Sequence, residues 1–354
     1  METITSRQYY IFALFIMFTS KLVTMPTLVY SEAGHDAIFS VILSCIIEFL
    51  IIILITCVIA KCKSDSFFAL LKAKIGVLSY VIYFILALLL LFRVVYCFQE
   101  AYSFFLEMLY DDLNIFTFAL PSLFVAVFLC MRGISSIGRT LEIIIWIILF
   151  GIILAMISNI EYIDLKQNMP YFENGLTPML NGSMRSLFLF SSSLGLVLLV
   201  GKVEVAPNFV RNTAFFCGIG MLFMILCCFI FYSVFGNSIQ YVLFSLSEYS
   251  QFDPYILELQ RLIWLTAILD VTKLFCACLC LNYLLNETIM SSTKIKNPII
   301  PLATISIVIL VLGYITHFDT IVWFNITKSI LSFVAIGLIL IISLICIIIL
   351  ARKR

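Results

Sequence analysis

The stretch FTSKLVTMP, residues Phe18–Pro26, interrupts the first long apolar segment of the chain with polar residues, a lysine and a proline. A second apolar segment, further along the chain, is interrupted by SSSLG at Ser191–Gly195. Backbone that leaves a helix inside hydrocarbon must find other polar partners, so such interruptions occur mainly where they line a cavity. A matching break in each half of a chain is typical of a two-repeat carrier with its ligand near the membrane midplane. The two breaks therefore predict a transporter-like binding site.

The composition places the chain in a membrane. Of its 354 residues, 63% are hydrophobic and only 12% are charged, and the mean hydropathy is +1.17. A soluble globule of this composition would have too few polar residues to cover its surface. We therefore predict an all-α integral membrane protein with ten spans, most of which match the ~20 apolar residues that cross a bilayer. The predicted spans are Tyr9–Val29, Ala37–Ala60, Ile75–Leu109, Ile115–Met131, Leu141–Ile160, Ser186–Val200, Thr213–Phe244, Ile256–Leu285, Ile299–Ile315 and Ile330–Leu350.

The charges of the loops predict the orientation, because Lys and Arg concentrate in short cytoplasmic loops. With the N-terminus inside, most basic residues fall on the cytoplasmic side, namely Arg7, Lys61, Lys63, Lys72, Lys74, Arg132, Arg139, Lys202, Arg211, Lys294, Lys296, Arg352, Lys353 and Arg354. The opposite loops hold only Lys166, Arg185 and Lys328. Both termini are therefore predicted to be cytoplasmic.

Five spans per half is an odd number, so the second half must enter the membrane from the side opposite to the first. The sequence thus predicts a 5+5 inverted-repeat transporter fold with broken first and sixth helices. We assign residues 1–165 to the first repeat and residues 184–354 to the second repeat with its C-terminal tail, within a single membrane domain of residues 1–354. The polar stretch Asn159–Arg185 is the predicted connector.

Ionisable residues inside the predicted spans are costly in the bilayer, so each needs a partner or a function. The main ones are Lys21, Glu48, Arg93, Glu100, Glu142, Arg261, Asp270 and Lys273. Residues three apart share a helix face and can neutralise each other. That spacing favours three structural pairs, which are Arg139 with Glu142, Glu258 with Arg261 and Asp270 with Lys273.

Lys21 has no such local partner, although it lies at the predicted break. Its ammonium can take the place of a bound sodium ion, or it can lose a proton on desolvation and couple binding to protonation. Alternatively, it forms a structural salt bridge with Glu48, Glu100 or Asp270. The sequence leaves these alternatives open. Glu100 lies two turns beyond Arg93 on the same face of the third span, which we predict to face the interior of the bundle.

The serine run Ser191–Ser193 also has two interpretations. Serines commonly lie at close helix contacts in membranes. At a position that matches the Lys21 break, however, they favour an opened helix whose hydroxyls and backbone groups meet a polar ligand. A helix N-terminus suits a carboxylate, whereas exposed carbonyls suit an ammonium. Amino acids carry both groups, so an amino-acid-like ligand is favoured.

Other chemistries are not indicated. Nearly all of the twelve cysteines fall within predicted spans, where a thiol is a small packing residue. His35 and His317 lie in predicted outer loops without partner ligands. The sequence shows no nucleophile–base constellation and no phosphate-binding glycine loop. We therefore predict no metal site, no cofactor, no nucleic-acid partner and no enzymatic activity.

Three further stretches carry a resemblance to a known family. They are Glu32–Ala37 after the first break, RGISSIGRTLE at Arg132–Glu142, and Leu257–Leu262 followed by Trp264. Together with the first segment and Pro26, they resemble the spore-germination permease family. Its members are the B subunits of germinant receptors, a branch of the amino acid/polyamine/organocation transporter superfamily. This chain departs from the family at both breaks, where Thr19 and Lys21 replace glycines and Ser192 and Leu194 replace a Gly-x-Glu motif.

The resemblance implies a protein of the inner spore membrane that senses a small germinant, typically an amino acid, together with A and C receptor subunits. We expect the ligand to contact Thr19, Ser20, Lys21 and Leu22 at the first break and Ser191, Ser192 and Ser193 at the second, with Glu100 and Asp270 lining the site. A proton-coupled amino acid or amine transporter with the same fold is the main alternative. A third interpretation is an interaction subunit without a ligand.

Overall fold

The computed structural model of the protein describes residues 3–18, 21–62, 66–108, 114–158, 160–173, 175–250, 260–293, 295, 297–316 and 320–351. Nearly all of its regular structure is helical. The α-helices are α1 Ser6–Phe18, α2 Met25–Ala33, α3 Ala37–Lys61, α4 Phe67–Ile75, α5 Leu78–Met108, α6 Ile115–Met131, α7 Ile134–Ser158, α8 Thr177–Phe190, α9 Phe209–Phe235, α10 Ser245–Ser250, α11 Gln260–Thr293, α12 Ile299–Thr316, α13 Thr320–Ile326 and α14 Ser332–Ala351.

Shorter elements connect or extend these helices. The 3-10 helices are Gly34–Asp36, Ile160–Tyr162, Leu165–Asn168, Ser191–Leu199 and Gly236–Tyr241, and a π-helix at Thr327–Leu331 leads into α14. Two short parallel strands, β1 (Ile4–Thr5) and β2 (Val203–Glu204), pair with Ile4 opposite Val203.

The predicted class of an all-α membrane protein is confirmed. In the described part of the chain, eight helical runs are long and apolar enough to cross a membrane, and α6 is a shorter apolar helix. The 13-residue helix α1 is too short to cross alone and forms the first broken span together with α2. The count of ten spans stays a prediction, because residues 251–259, within which the predicted eighth span begins, lie outside the described residues.

Two spans begin well before the residue that the hydropathy pattern predicts. The sixth was expected from Ser186, but α8 already begins at Thr177, with Pro178 in its first turn. Proline suits that position because the first N–H groups of a helix have no intrahelical partner. The intervening residues TPMLNGSMR are too polar to be recognised as part of an apolar segment. Similarly, α7 begins at Ile134 rather than at Leu141.

The predicted break in the first span is confirmed. Helix α1 ends at Phe18, residues Lys21–Thr24 form turns, and α2 begins at Met25 with Pro26 in its first turn. The Met25 N–H donates to the Lys21 carbonyl at 3.2 Å, which starts the new helix. The chain therefore changes helix in the middle of an apolar segment, as expected of a span that is discontinuous.

The sixth span is interrupted in a different way, because it tightens rather than unwinds. After α8 the chain continues through nine residues of 3-10 helix, Ser191–Leu199, which we call the 3-10 segment. The three serine hydroxyls donate to the carbonyls three residues earlier, at 2.6, 3.3 and 3.0 Å. Runs of 3-10 helix this long are uncommon, and within a helix they often mark a functional hinge.

The two broken spans lie side by side in the bundle. Helix α2 packs against α8, and the 3-10 segment packs against α3 and α11. At one end of the bundle, the β1–β2 pair joins the start of α1 to the chain that follows the 3-10 segment, with the Ile4 N–H donating to the Lys202 carbonyl at 2.9 Å. At the other end, Glu32 is bound by Arg185 at 2.6 Å and by Lys328 at 2.9 Å.

A glycine allows the close contact between the two broken spans. A Cβ atom at Gly182 of α8 would lie 2.8 Å from both the Ala33 Cβ and the Ser40 Oγ, which is closer than such atoms pack. Gly182→Ala is therefore expected to lower the free energy of unfolding by about 1–3 kcal/mol through overpacking.

Gly218 of α9 provides the matched control, because a Cβ there would meet nothing within 4 Å. Gly218→Ala is expected to be neutral or to stabilise by up to about 1 kcal/mol. Thermal unfolding of both purified variants in detergent measures the difference. Equal losses of stability in the two variants would contradict the close contact at Gly182.

Candidate functional site at the helix breaks

Lys21 lies at the centre of the first break and is almost fully buried, with 1% of its surface exposed. Its ammonium group donates to both carboxylate oxygens of Glu48 on α3, each at 2.6 Å. It also donates to the carbonyls of Ile16 at 3.0 Å and Met17 at 2.9 Å, in the last turn of α1. The last carbonyls of a helix lack partners in the helix itself. Lys21 therefore caps α1 and links its broken end to α3.

The same ion pair contacts the second break. The Lys21 ammonium lies 5.0 Å from the centre of the Phe190 ring, at the last residue of α8. The hydroxyl of Ser193, in the 3-10 segment, also lies beside the Glu48 side chain. Lys21 and Glu48 thus form one buried junction between α1, α3 and the sixth span.

A second buried pair lies on α5. Arg93 and Glu100 are separated by 3.9 Å, and both are almost completely shielded from solvent. Glu100 accepts a hydrogen bond from the hydroxyl of Thr24, in the turn just before α2. The Thr24 hydroxyl is also 2.9 Å from the Tyr96 hydroxyl. The end of the first break that leads into α2 is therefore anchored to α5, and the end that follows α1 is anchored to α3.

A third pair, Asp270 with Lys273 on α11, is buried and in direct contact, as its i,i+3 spacing predicted. Electrostatic interactions connect the three pairs, because Arg93 acts on Glu48 and Lys273 acts on Glu100. We call these six residues the buried charge cluster. Its three cations and three anions balance, so none of the charges is left uncompensated within the apolar bundle.

The structure places the predicted site residues as follows. Thr19 and Ser20 lie outside the described residues. Lys21 and Leu22 are buried at the first break, and the serines of the 3-10 segment are buried, with Ser193 beside Glu48. Glu100 accepts a hydrogen bond from Thr24 at the first break. Asp270 pairs with Lys273, which in turn interacts electrostatically with Glu100. The described residues of the set other than Asp270 therefore lie at or against the two breaks, and Lys21 itself is engaged by protein groups.

Sequence reasoning missed part of this site. The sequence indicates Glu48 only as one of three possible partners for Lys21, and it assigns no role to Thr24 or Tyr96. The signal for Glu48 was an acidic residue in an otherwise apolar span. The predicted local pair of Arg139 with Glu142 is wrong, because Glu142 contacts Arg7 of α1 at 3.2 Å. The pair Glu258 with Arg261 lies outside the part of the chain whose side chains are described.

The sequence matches the family described as "Spore germination protein" over residues 3–250. The chain belongs to the spore germination protein family. The match includes both helix breaks, Glu48 and Glu100, and it ends before α11. The resemblance inferred from the sequence motifs is therefore confirmed. No curated protein matches the sequence significantly.

Solved structures show which fold this spore germination protein has. It is similar to Mhp1, a nucleobase-cation-symport-1 family transporter in a closed conformation with bromovinylhydantoin bound, at 14% identity and a TM-score of 0.61. That alignment covers 95% of this chain and 75% of Mhp1. A manganese transporter from Eremococcus coleocola aligns over 96% of this chain and 77% of its own, at 12% identity and a TM-score of 0.61. At such identities the likeness concerns the fold alone, and it confirms the predicted inverted-repeat transporter fold.

Proposed function

We propose that this protein is the germinant-sensing membrane subunit of a spore germination receptor, and that it binds a small amino-acid-like ligand where its two broken spans meet. Family membership supports the receptor context. The observation that carries the ligand site is the Lys21–Glu48 junction, which joins the broken end of α1 to α3 and to the 3-10 segment. A ligand placed between the breaks acts on both spans at once.

In this proposal, Lys21 is a positioning residue for the site. Its ammonium holds the end of α1 against Glu48, so that the neighbouring backbone and the hydroxyls of Thr19 and Ser20 can meet the ligand. Leu22 and the serines Ser191, Ser192 and Ser193 complete the contacts, and Glu100 and Asp270 line the site from α5 and α11. A carboxylate and an ammonium on one small ligand suit this mixture of hydroxyl donors, carbonyl acceptors and buried charges.

Sensing requires that the ligand bind one conformation more tightly than another. The break segments are held by interactions that a shift of either span would alter, namely those of Lys21 with Glu48 and of Thr24 with Glu100. We propose that the resulting shift is transmitted to A and C receptor subunits in the inner spore membrane. The chain then has both termini in the cytoplasm, as the distribution of loop charges indicates.

A germination assay tests the ligand site. Spores carrying the native protein, Lys21→Ala or Ser193→Ala are exposed to a panel of amino acids, and Lys72→Ala, at an exposed lysine of α4, is the control. We expect Lys21→Ala to raise the half-maximal concentration of one amino acid at least about tenfold, which corresponds to 1.4 kcal/mol. Ser193→Ala removes only one hydroxyl beside Glu48, so a smaller shift is expected.

The amount of each variant in the spore membrane is measured by immunoblot, which separates loss of response from loss of protein. If Lys21→Ala and Ser193→Ala are present at native levels and respond normally to every amino acid, the proposed site is wrong. A third outcome would support an interaction subunit without a ligand. In that case the variants at the breaks keep the germinant response, but the A and C subunits fail to assemble in spores that lack the protein.

The alternative function is a proton-coupled amino acid or amine transporter. Two observations favour this alternative: the transporter fold and the buried acid–base pairs within the spans. Accumulation of labelled amino acid in proteoliposomes under an imposed proton gradient would support the transporter. Failure of germination in a deletion strain, without such accumulation, would support the sensor.

A further inference from the structure

A polar cavity of about 460 Å³ lies at the junction of α6 and α7. It is lined by Thr3, Arg132, Ser135, Ser136 and Arg139. Ser135, Ser136 and Arg139 lie on one side of α7, and Arg132 lies in the turn between α6 and α7. Both arginines are exposed, and both belong to the basic set that predicts the cytoplasmic side.

The polar side chains of this cavity other than Thr3 are available to a ligand. Within the described part of the chain, the Arg139 guanidinium and the hydroxyls of Ser135 and Ser136 have no hydrogen-bond or ion-pair partner. The Arg132 guanidinium lies 5.1 Å from the centre of the exposed Phe128 ring of α6 and also lacks a carboxylate partner there.

The carboxylates of this region are already engaged. Glu142 of α7 pairs with Arg7 at 3.2 Å, and Glu204 accepts a hydrogen bond from the Thr3 hydroxyl at 2.6 Å. Among the described residues neither carboxylate forms an ion pair with Arg132 or Arg139, so both guanidinium groups of the cavity can bind another anion. Paired arginines with adjacent hydroxyls match the oxygen atoms of a phosphate group.

The helix face that carries Arg139 continues as an exposed apolar surface. Further along α7 the same spacing presents exposed side chains that have 67, 59, 56 and 69% of their surface accessible, namely Ile143, Trp146, Ile147 and Phe150. From Arg139 to Phe150 the helix rises about 16 Å. That distance is about half of the ~30 Å hydrocarbon layer. A basic cavity is therefore followed by one leaflet's depth of apolar surface.

We propose that this cavity binds the phosphate of an anionic phospholipid in the predicted cytoplasmic leaflet, with an acyl chain lying along the exposed face of α7. The two arginines neutralise the phosphate, and Ser135 and Ser136 donate hydrogen bonds to it. A free phosphate ion would use only the polar cavity. The continuous apolar face and the aromatic ring under Arg132 favour a ligand with hydrocarbon chains. Basic cavities between membrane helices are known to hold anionic headgroups.

Fluorescence quenching tests this site, because Trp146 lies on the proposed acyl-chain surface. The full chain is reconstituted in phosphatidylcholine vesicles that contain a small, equal fraction of brominated phosphatidylglycerol or brominated phosphatidylcholine. We expect brominated phosphatidylglycerol to quench the tryptophan emission more strongly, and Trp146→Phe to abolish that difference. Removing each arginine is expected to weaken the preference about fivefold, so Arg132→Gln/Arg139→Gln should leave no preference.

Arg211→Gln is the matched control, since Arg211 is exposed and belongs to the same basic set but does not line the cavity. It should keep the preference for phosphatidylglycerol. A preference that persists unchanged in Arg132→Gln/Arg139→Gln would overturn the proposal. So would abolition of the preference by millimolar inorganic phosphate at constant ionic strength, because the cavity would then bind free phosphate. Equal quenching by the two brominated lipids in the native protein would also overturn it.

Discussion

Replacing Lys21 with methionine is expected to lower the free energy of unfolding by about 3–5 kcal/mol, which is the usual cost of removing one partner of a buried ion pair. The substitution keeps an unbranched side chain, one heavy atom shorter, but leaves the Glu48 carboxylate buried without the ammonium at 2.6 Å. It also removes the hydrogen bonds that Lys21 donates to the carbonyls of Ile16 and Met17. Thermal and chemical unfolding in detergent measure the loss.

The double variant Lys21→Met/Glu48→Leu separates the ion pair from the capping of α1. Replacing both charges by apolar groups is often neutral or stabilising, so most of the lost stability should return. Recovery should be incomplete, because the two carbonyls at the end of α1 still lose the hydrogen bonds that Lys21 donates to them. A double-mutant cycle gives the coupling energy. If Lys21→Met alone costs less than about 1 kcal/mol, the pair is not buried as described.

The same double variant also tests the proposed function. A folded protein that contains neither charge should no longer hold the end of α1 against α3. We therefore expect normal amounts of it in the spore membrane together with loss of the germinant response. A normal response in this variant would show that the junction contributes to stability only.

Replacing Arg93 with leucine is the second change with a large expected effect, again about 3–5 kcal/mol. Arg93 and Glu100 are both buried, and without the cation Glu100 keeps the hydrogen bond from the Thr24 hydroxyl but loses its paired charge. Loss of Arg93 also removes a cation that acts on Glu48. Adding Glu100→Gln should restore part of the stability, because glutamine is neutral and can still accept from Thr24.

Arg7→Gln provides the contrast. Arg7 forms an ion pair with Glu142 at 3.2 Å, but 73% of its side chain is exposed. Exposed pairs contribute about 0–1 kcal/mol, so this variant should unfold almost like the native protein. Denaturation of Arg93→Leu and Arg7→Gln under the same conditions compares the two sites. Similar losses in both variants would contradict the buried position of Arg93.

Much of the fold could be predicted from the sequence because hydrocarbon imposes simple rules on a chain. Long apolar runs gave the spans, and a lysine and a proline within the first run indicated its break. The start of α8 at Thr177 could not be predicted in this way. Its first turns are polar, and their helical conformation depends on packing against α2 and α3 rather than on hydropathy.

The candidate site was predictable in position but not in its contacts. Lys21 could be singled out because it lacks an acid on its own helix, yet Glu48, Glu100 and Asp270 were equally acceptable partners. Only the arrangement of α1 beside α3 selects Glu48. Likewise, the local spacing favoured Arg139 for Glu142, whereas the tertiary contact between α1 and α7 brings Arg7 to it. The hydroxyls of Ser191–Ser193 donate to backbone carbonyls three residues earlier, and this arrangement depends on the 3-10 geometry.

The parallel pairing of β1 with β2 has a consequence for the order in which the protein can be assembled. The pair joins Ile4 to Val203, about 200 residues later in the chain. Contacts of such large sequence separation close slowly, because the intervening chain must first be ordered. During synthesis, the start of the first span therefore has no strand partner until the ribosome has passed the sixth span. Up to that point, the nascent first repeat must stay in the membrane while β1 remains unpaired.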